Sequence, residues 1–520
     1  MLSDIAKVEL NDDFKRALKL MGDGRKDVFI TGRAGTGKST LLNYFRKTTK
    51  KPVVVLAPTG VAALNIEGQT IHSFFRFKPD ITPSHVERYN GPGSELYKAI
   101  DTIVIDEISM VRADLLDCID RFLRLNGKNK QTPFGGVKMI FIGDLYQLPP
   151  VVTGKEKEAF TSHYNSQYFF DSNIFKEIEI EFVELEKIYR QKDQKFINIL
   201  NSIRNNSVAQ KELQEINKKL DPFFQPKPNE LYINLTTTNK MASEINDLEL
   251  AKVKGKLLTY TGKIKGDFDE NHLPTDIELK LKVGAQIMLL NNDTAHRWVN
   301  GTVGKIVGVR KDEEKKKDII VAELRDGSKV DIEPYTWKIS KLSYDRTIRS
   351  LISEQIGSFT QYPIRLSWAV TIHKGQGKTF DKVIIDIGKG TFSHGQVYVA
   401  LSRCTSLDGI VLKKPIEKKH IWMDWKVVKF LTKFQYSLSD KECSIEDKIK
   451  IIEDAIKHKK ELEIVYLKSN DSKSKRVIRP KFVGKMDYMG KTYMGVEAYC
   501  CLRKDDRVFR VDRILEIKEA

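Results

Sequence analysis

No apolar run in this 520-residue chain approaches the roughly 18–20 residues that span a bilayer, so no membrane-spanning helix is expected. The first ten residues carry scattered charges and no apolar stretch, which argues against a secretory leader. Cysteine is scarce: Cys118, Cys404, Cys443, Cys500 and Cys501 are too few and too scattered for a disulfide framework or a zinc module. The adjacent pair Cys500–Cys501 reads as a strand with one face buried, and the expected compartment is the reducing cytoplasm. Internal repeats and low-complexity tracts are missing too. Acidic residues are in the minority, 70 against 88 lysines and arginines, which leaves a formal charge of +18. A lysine-rich composition produces such an excess without any partner. A polyanion is the more natural reading, because neutralising phosphates and releasing their counterions drives non-specific nucleic-acid binding. The length is too great for one core, so three or more domains are expected.

What is present is a series of short apolar runs, each followed by a helical pattern. Val28–Thr31, Val53–Ala57, Thr102–Ile105 and Lys138–Ile142 suit strands buried on both faces of a parallel sheet. Residues 77–98, rich in Pro, Gly and polar side chains, read as a small insertion. A second alternating stretch begins near Leu231 and resumes at Ile364–Ser402, with a strand-rich segment between. The charged run Lys311–Asp318 reads as a solvated hairpin tip, and Tyr436–Ser444 as a linker.

Gly32–Ser39 (GRAGTGKS) fits G-x-x-x-x-G-K-[ST], between a strand and a helix as that pattern requires. Gly35, Thr36 and Gly37 let backbone N–H groups converge on phosphates, and the helix N-terminus adds partial positive charge. Lys38 reaches the β- and γ-phosphates, Ser39 offers a hydroxyl to Mg²⁺, and Thr40 follows in the first turn. Ile103–Glu107 is an apolar strand ending in two carboxylates: Asp106 to hold Mg²⁺, Glu107 to orient or deprotonate water. In Ile142–Pro150 (IGDLYQLPP), Gln147 is placed to touch both the γ-phosphate and that water. These motifs define a nucleotide site using ATP and Mg²⁺, and many functions use such a site.

The surrounding sequence narrows the field. Ala57–Ala63 (APTGVAA), Gln69–Phe75 (QTIHSFF), Ile108–Met110, the helix Leu115–Arg124, Pro133–Gly136, Leu185–Gln191 (LEKIYRQ), Thr371–Gly377 (TIHKGQG) and Tyr398–Arg403 (YVALSR) resemble the petite-integration-frequency (Pif) family of helicases, a RecD-like branch of superfamily one. Leu235–Asn239 and Trp298–Thr302 match in kind. The resemblance runs over about residues 5–430. It implies two RecA-like P-loop NTPase lobes of α/β class, at 1–185 and 186–435, with a small β-barrel inserted in the second at about 295–360. It also implies arginine fingers at Arg190 and Arg403, with Gly377 beside the nucleotide. Pro58, Thr59, Gly60, His72, Ser73, Phe74, Thr237, Asn239, Trp298, His373 and Lys374 would hold single-stranded DNA by stacking and phosphate contacts. At least one of Phe74 and Phe75 belongs to the core. The implied activity is an ATP-dependent DNA helicase moving 5′ to 3′ in genome maintenance. Its expected substrates are single strands and single-strand/duplex junctions, with RNA–DNA hybrids and quadruplexes as further candidates, and the expected state is a nucleoid-associated monomer. The alternatives are a translocase that does not unwind and a regulator in which ATP is only a switch. Two departures stand out: Phe14 lies where relatives carry an adenine-reading glutamine, and Gly375 where a serine is common.

Within residues 445–520, Glu463–Tyr466, Arg476–Pro480, Ala498–Cys500 and Arg507–Ile514 resemble a WYL domain, a small β-barrel of bacterial regulators that binds nucleic acid or a small ligand. Arg476, Arg479, Arg507, Arg510 and Arg513 alternate with apolar residues there, so one basic strand face is expected, set against the alternative of a face of solvated ion pairs. An accessory single-strand clamp or a regulator is the functional expectation.

Overall fold

The computed structural model describes residues 10–23, 26–152, 156–227, 229–268, 270, 273–313, 317–345, 347, 350–388, 393–488 and 490–520. They form two compact units. One is drawn from 1–201 and 209–422, the other from 202–208 and 423–520. Among the described residues no helix is long and apolar enough to cross a membrane.

The first unit opens with a six-stranded sheet. Strands β1 (Asp27–Gly32), β2 (Val53–Ala57), β3 (Gln69–Thr70), β4 (Thr102–Ile105), β5 (Lys138–Gly143) and β6 (Ile180–Leu185) lie in the order β3-β2-β4-β5-β1-β6. All neighbours run parallel. Their apolar runs are buried on both faces, Val28, Ile30, Val104, Ile140 and Ile142 entering one core with Leu41, Leu42 and Phe45 of the following helix. The order sets β4, β5 and β1 side by side, so the three chemical motifs leave one sheet edge together. Helices α1 (Asp12–Asp23), α2 (Lys38–Thr48), α3 (Gly60–Asn65) and α4 (Ile71–Phe75) precede or connect these strands. Residues 77–98 hold no strand, only a short turn of 3-10 helix at Pro83–His85 and the start of the helix Leu96–Ala99.

The second lobe is smaller. β7 (Ile233–Thr236) meets strands far downstream: β8 (Leu258–Thr261) to β17 (Ile364–Leu366) intervene before β18 (Ala369–Thr371), β19 (Val383–Ile385) and β20 (Ile410–Leu412) complete a parallel sheet in the order β18-β7-β19-β20. The intervening strands are antiparallel. β11 (Gln286–Leu289), β12 (Val303–Asp312), β13 (Lys317–Leu324) and β14 (Lys329–Ile332) form a five-stranded sheet with β17, while β15 (Tyr335–Asp345) and β16 (Ser350–Gln361) pair with β9 (Lys263–Gly266), and β10 (Glu278–Leu281) with β8. The insertion is thus wider than 295–360, because β9 pairs with β16 and residues of β8 and β10 enter its core. The charged run pairs Lys311 with Asp318 and Asp312 with Lys317; residues 314–316 lie outside the described residues.

In the second unit β21 (Leu462–Leu467), β22 (Lys473–Tyr488), β23 (Lys491–Cys500), β24 (Asp505–Arg510) and β25 (Ile514–Glu519) form an antiparallel sheet, β24-β23-β22-β21-β25, backed by the helix Ile445–His458. Cys500 is buried at the end of β23, but Cys501 lies in the following turn, so the pair does not share a strand as expected. The expected linker at 436–444 is instead mostly helix: Trp425–Glu442 continues through it, and only Cys443 and Ser444 precede the next helix. Ser439 Oγ donates to the carbonyls of Ile514 and Leu515, at 3.1 and 2.6 Å, which fixes that turn against β25.

Candidate active site and nucleic-acid interface

The P-loop leaves β1 and closes on itself, Thr36 Oγ1 donating to Arg33 O at 2.9 Å. At Gly35 (φ +83°) a Cβ would stand 2.5 Å from Cβ of Arg190, so only glycine lets the loop lie against the segment after β6. Tyr189 N–H ties that segment to Gly35 O at 2.8 Å. The Lys38 ammonium donates to Gly32 O and Arg33 O at 2.8 and 3.1 Å. Burial lowers its pKa, opposed by the negative charges of Asp144, Glu107 and Asp106.

At the end of β4, Asp106 is 8% exposed and accepts from the N–H of Glu107 at 2.9 Å. Burial first, then the neighbouring Glu107, pushes the Asp106 carboxyl up to about 7; burial raises Glu107 as well. Glu107 itself adopts a left-handed backbone (φ 51°), a conformation costing about 1–3 kcal/mol in a residue with a side chain. The arrangement fits a divalent cation. Two crowded, buried acids gain from positive charge beside them, and the Ser39 hydroxyl is exposed at the start of α2. No cluster of three or more His, Cys, Asp or Glu able to hold a metal by itself is found among the described residues. Ser39 and Asp106 would hold Mg²⁺, which supplies charge neutralisation to the transferred phosphoryl group.

Gln147, 5% exposed, donates to Asp144 Oδ2 at 3.2 Å. Its Oε1 accepts from Gln376 Nε2 at 3.1 Å, and the same amide donates to Glu107 Oε2 at 3.2 Å. Gln376 comes from the second lobe, so one side chain bridges the cleft onto both Glu107 and Gln147. The helix Gln396–Ser402 also crosses: Tyr398 Oη accepts from Ala34 N–H of the P-loop at 2.9 Å and donates to Asp144 Oδ2 at 3.3 Å. At Gly395 a Cβ would stand 2.5 Å from Tyr146 O, so the lobes meet there backbone to backbone. Arg190 Nη1 donates to Ser402 O at 3.2 Å. Arg403 is 1% exposed, its guanidinium donating to Val399 O, Lys378 O and Ser402 Oγ at 3.0, 3.3 and 3.0 Å. Burial, then Arg190, pushes it down to about 9. Lys38, Asp106, Glu107, Gln147, Arg190 and Arg403, all read from the motifs, are thus brought together. Gly377 is exposed beside Gln376, Thr36 is buried within the loop, and Thr40 is exposed on α2. Phe14 is 2% exposed and packs in the core beneath Gly37, so it offers the nucleotide no polar group.

Asp144, Gln376, Tyr398 and Gln191, which donates to Ser402 O and Cys404 O, were not singled out from the sequence. Each stands inside a recognised motif. The available signal was a polar side chain set in an apolar helix or at the end of an apolar strand.

The candidate strand contacts divide. Thr59 caps α3, its Oγ accepting from Ala62 N–H at 3.3 Å, which leaves its hydroxyl proton free for a phosphate. Pro58 is half-buried and Gly60 buried beside it. His72 is half-buried and Ser73 exposed on α4. In the second lobe β7 and β18 are neighbours, so Thr237 and exposed Asn239 leave the same sheet edge as exposed His373 and Lys374. Two aromatic candidates are corrected. Phe74 is 4% exposed, edge-on to Phe75 and Tyr97, because α4 turns that face into the core. Trp298 is 7% exposed in the insertion core, its Nε1–H donating to Asn291 Oδ1 at 3.1 Å with Arg297 over its ring. Neither presents a face for a base.

In the second unit the single basic face is also corrected. Arg476 and Arg479, like Arg507 and Arg510, are an odd number of residues apart on one strand and so point to opposite sides. Arg479 pairs with Glu461 and Arg510 with Asp512, both at 2.6 Å. Arg476, Arg507 and Arg513, with Lys468 and Arg503, instead line a cavity of about 550 Å³ together with Tyr466 and Phe509.

A P-loop, paired acids, an arginine beside the P-loop and a second arginine from the other lobe define a nucleotide-hydrolysing motor. Known proteins narrow the class. Residues 9–214 match the PIF1-like helicase model, 267–309 the 2B domain of DNA helicase Pif1, and 447–519 the WYL domain. The "ATP-dependent DNA helicase Pif1" of Campylobacter jejuni is 32% identical over 403 residues, covering 73% of this chain and 87% of that protein. Bacteroides sp Pif1 in complex with ADP-AlF4 is 37% identical with a TM-score of 0.76, covering 83% of this chain and 98% of that one. Bacteroides Pif1 bound to ssDNA gives 37% and 0.60, covering 82% and 96%. This chain belongs to the PIF1-like helicase family and carries a WYL domain at its C-terminal end.

Proposed function

We propose that this chain is an ATP-dependent DNA helicase that moves 5′ to 3′ on single-stranded DNA and opens duplexes at single-strand/duplex junctions, in the service of genome maintenance. The observation that carries the reading is the Gln376 amide, hydrogen-bonded to Glu107 and Gln147 and only two residues from Lys374. Through it the residues that handle the attacking water sense the lobe that grips DNA. Lys38, Arg190 and Arg403 stabilise charge developing on the transferred phosphoryl group, and Glu107 accepts the water's proton. Closing and opening the cleft changes the spacing of two grips, Thr59 with Ser73 and Thr237 with Lys374, so hydrolysis becomes movement. ATP with Mg²⁺ is the fuel. RNA–DNA hybrids and quadruplexes are further substrates under the same reading, with the chain working as a monomer in the cytoplasm on nucleoid DNA. The cationic cavity of the second unit supports an accessory role for the WYL domain in holding single strands or a small anionic ligand. An Arg503→Ala/Arg507→Ala variant that bound single-stranded DNA with unchanged affinity and salt dependence would count against the strand-holding role.

The test is ATP-dependent displacement on duplexes bearing a 5′ or a 3′ single-stranded tail, with Lys38→Ala as control. Unwinding from the 5′ tail alone, lost in the variant, is expected. Unwinding from the 3′ tail overturns the polarity. DNA-stimulated hydrolysis without displacement leaves a translocase, and hydrolysis indifferent to DNA removes the motor.

A further inference from the structure

The loop between β11 and β12 belongs to the insertion, yet it touches both motor lobes. It is internally cross-braced. Asp293 Oδ2 accepts from the N–H groups of Ala295 and Arg297, each at 3.1 Å, and from Arg297 Nε at 2.9 Å. Asn292 Oδ1 accepts from Asn300 N–H at 2.8 Å, and Gly301 N–H donates to Leu289 O at 2.8 Å. With Trp298 buried as its anchor, the loop presents the Asn300 amide in a fixed place.

That amide is committed at both ends. Its Oδ1 accepts from the ammonium of Lys378 at 2.5 Å, and its Nδ2 donates to Asn65 Oδ1 at 2.9 Å. The Lys378 amino group donates to the amide oxygen, which leaves the amide N–H to face Asn65. Lys378 directly follows Thr371–Gly377 in the second lobe, and its carbonyl accepts from Arg403 Nη1 at 3.3 Å. Asn65 ends α3 in the first lobe, a helix of six residues whose first turn is capped by Thr59. A displacement at one end of so short a helix reaches the other. Lys378 is 9% exposed, so its hydrogen bond to Asn300 is made out of bulk water, where breaking it costs more than at a surface.

We propose that Asn300 is a positioning residue that links the nucleotide arginine Arg403, through Lys378, to the strand-gripping helix α3, through Asn65, and so ties each hydrolysis event to a step along DNA. It touches neither nucleotide nor strand. It keeps the register between them. The inference rests on the helicase reading above.

The experiment measures base pairs unwound per ATP hydrolysed on a tailed duplex, alongside ATP hydrolysis without DNA, for the wild-type chain, Asn300→Ala, Asn65→Ala and the double variant. Asn65 is exposed, so its substitution tests the same contact where folding is not at issue. Each single variant is expected to lower the ratio about threefold or more, a typical coupling between contacting residues, while DNA-independent hydrolysis stays within about twofold. The double variant is expected to do no worse than either single one, since both break the same link. Asn300→Asp keeps an acceptor for Lys378, can take a hydrogen bond from a rotated Asn65 amide, and is expected to retain the ratio. An unchanged ratio in both alanine variants, or a double loss equal to the product of the single losses, overturns the proposal. A wild-type chain that fails to unwind at all fails the helicase reading instead.

Discussion

The two motor lobes share a parallel sheet but divide the work unequally. The first has six strands whose apolar runs are continuous in sequence, and three neighbouring strand ends carry the P-loop, the paired acids and Gln147. The second has four strands of three or four residues, interrupted by the whole antiparallel insertion, and it contributes reach: Gln376, Tyr398 and Arg403 extend from it across the cleft. The lobe with the larger uninterrupted core holds groups that must be fixed before nucleotide arrives. The lobe with the smaller core holds groups whose value lies in arriving together. The fixed part of the chemistry therefore sits on one side, and its timed completion on the other.

Substitutions on the timing side break or sharpen this comparison. The largest effect is expected from Arg403→Ala, which should cost about 10³-fold or more in the rate of ATP hydrolysis, with Arg403→Lys failing to rescue because a point charge cannot keep three directed hydrogen bonds. A rate within tenfold of wild type would place the chemistry wholly in the first lobe. Gln376→Ala should lower DNA-stimulated hydrolysis about 10- to 100-fold while sparing the DNA-free rate more, measured by steady-state turnover with and without single-stranded DNA. Trp298→Ala should destabilise the insertion by about 3–5 kcal/mol in denaturant unfolding, the loss expected of a large side chain removed from a core. A DNA-binding defect with no loss of stability would return Trp298 to the strand interface.

Smaller effects follow on the chemical side. With its carboxyl raised to about 7, Asp106 is protonated below that pH in the nucleotide-free protein, so binding the cation must release a proton there. Affinity for Mg·ADP should fall up to about tenfold per pH unit below 7 and level off above it, which titration at pH 6, 7 and 8 checks. The same raised pKa means that ionising Asp106 opposes folding as pH rises from the unfolded value near 3.8 through about 7. Least of all, Lys374→Ala should reduce the slope of log affinity against log salt by about 1 without changing stability.

Much of the first lobe could be read from the sequence because its signals are local. A buried parallel strand is an unbroken apolar run, and a P-loop declares itself in eight consecutive residues. What stayed hidden was set by partners far away in the chain. β9 (Lys263–Gly266) has lysine or glycine at three of its four positions and becomes a strand only by pairing with β16. The helix Trp425–Glu442 buries Val427, Leu431, Gln435 and Ser439 at every fourth position, and the last two are polar, so its inward face does not register as apolar and its end passes for a linker. Phe74 and Trp298 are aromatics within motifs, and whether such a ring meets a base or a core depends on which way one turn faces. Gln376 lay in plain sight, but the residues it touches come from motifs more than two hundred positions away.

The interrupted second sheet has a consequence for how the chain is made. Leu235 pairs with Val370 on one side and Ile385 on the other, so β7 has no sheet partner until the entire insertion has been synthesised. At about 5–20 residues per second of synthesis, that leaves the strand waiting on the order of ten seconds or more, while the first lobe, complete once β6 has emerged, can already fold. Pairing between residues so distant in sequence is slow for the same entropic reason. The nascent protein thus passes through a stage with a finished nucleotide-binding half and an unsealed strand edge. That is the interval in which chaperones have most to protect, and in which substitutions in the insertion would reduce yield before they touched activity.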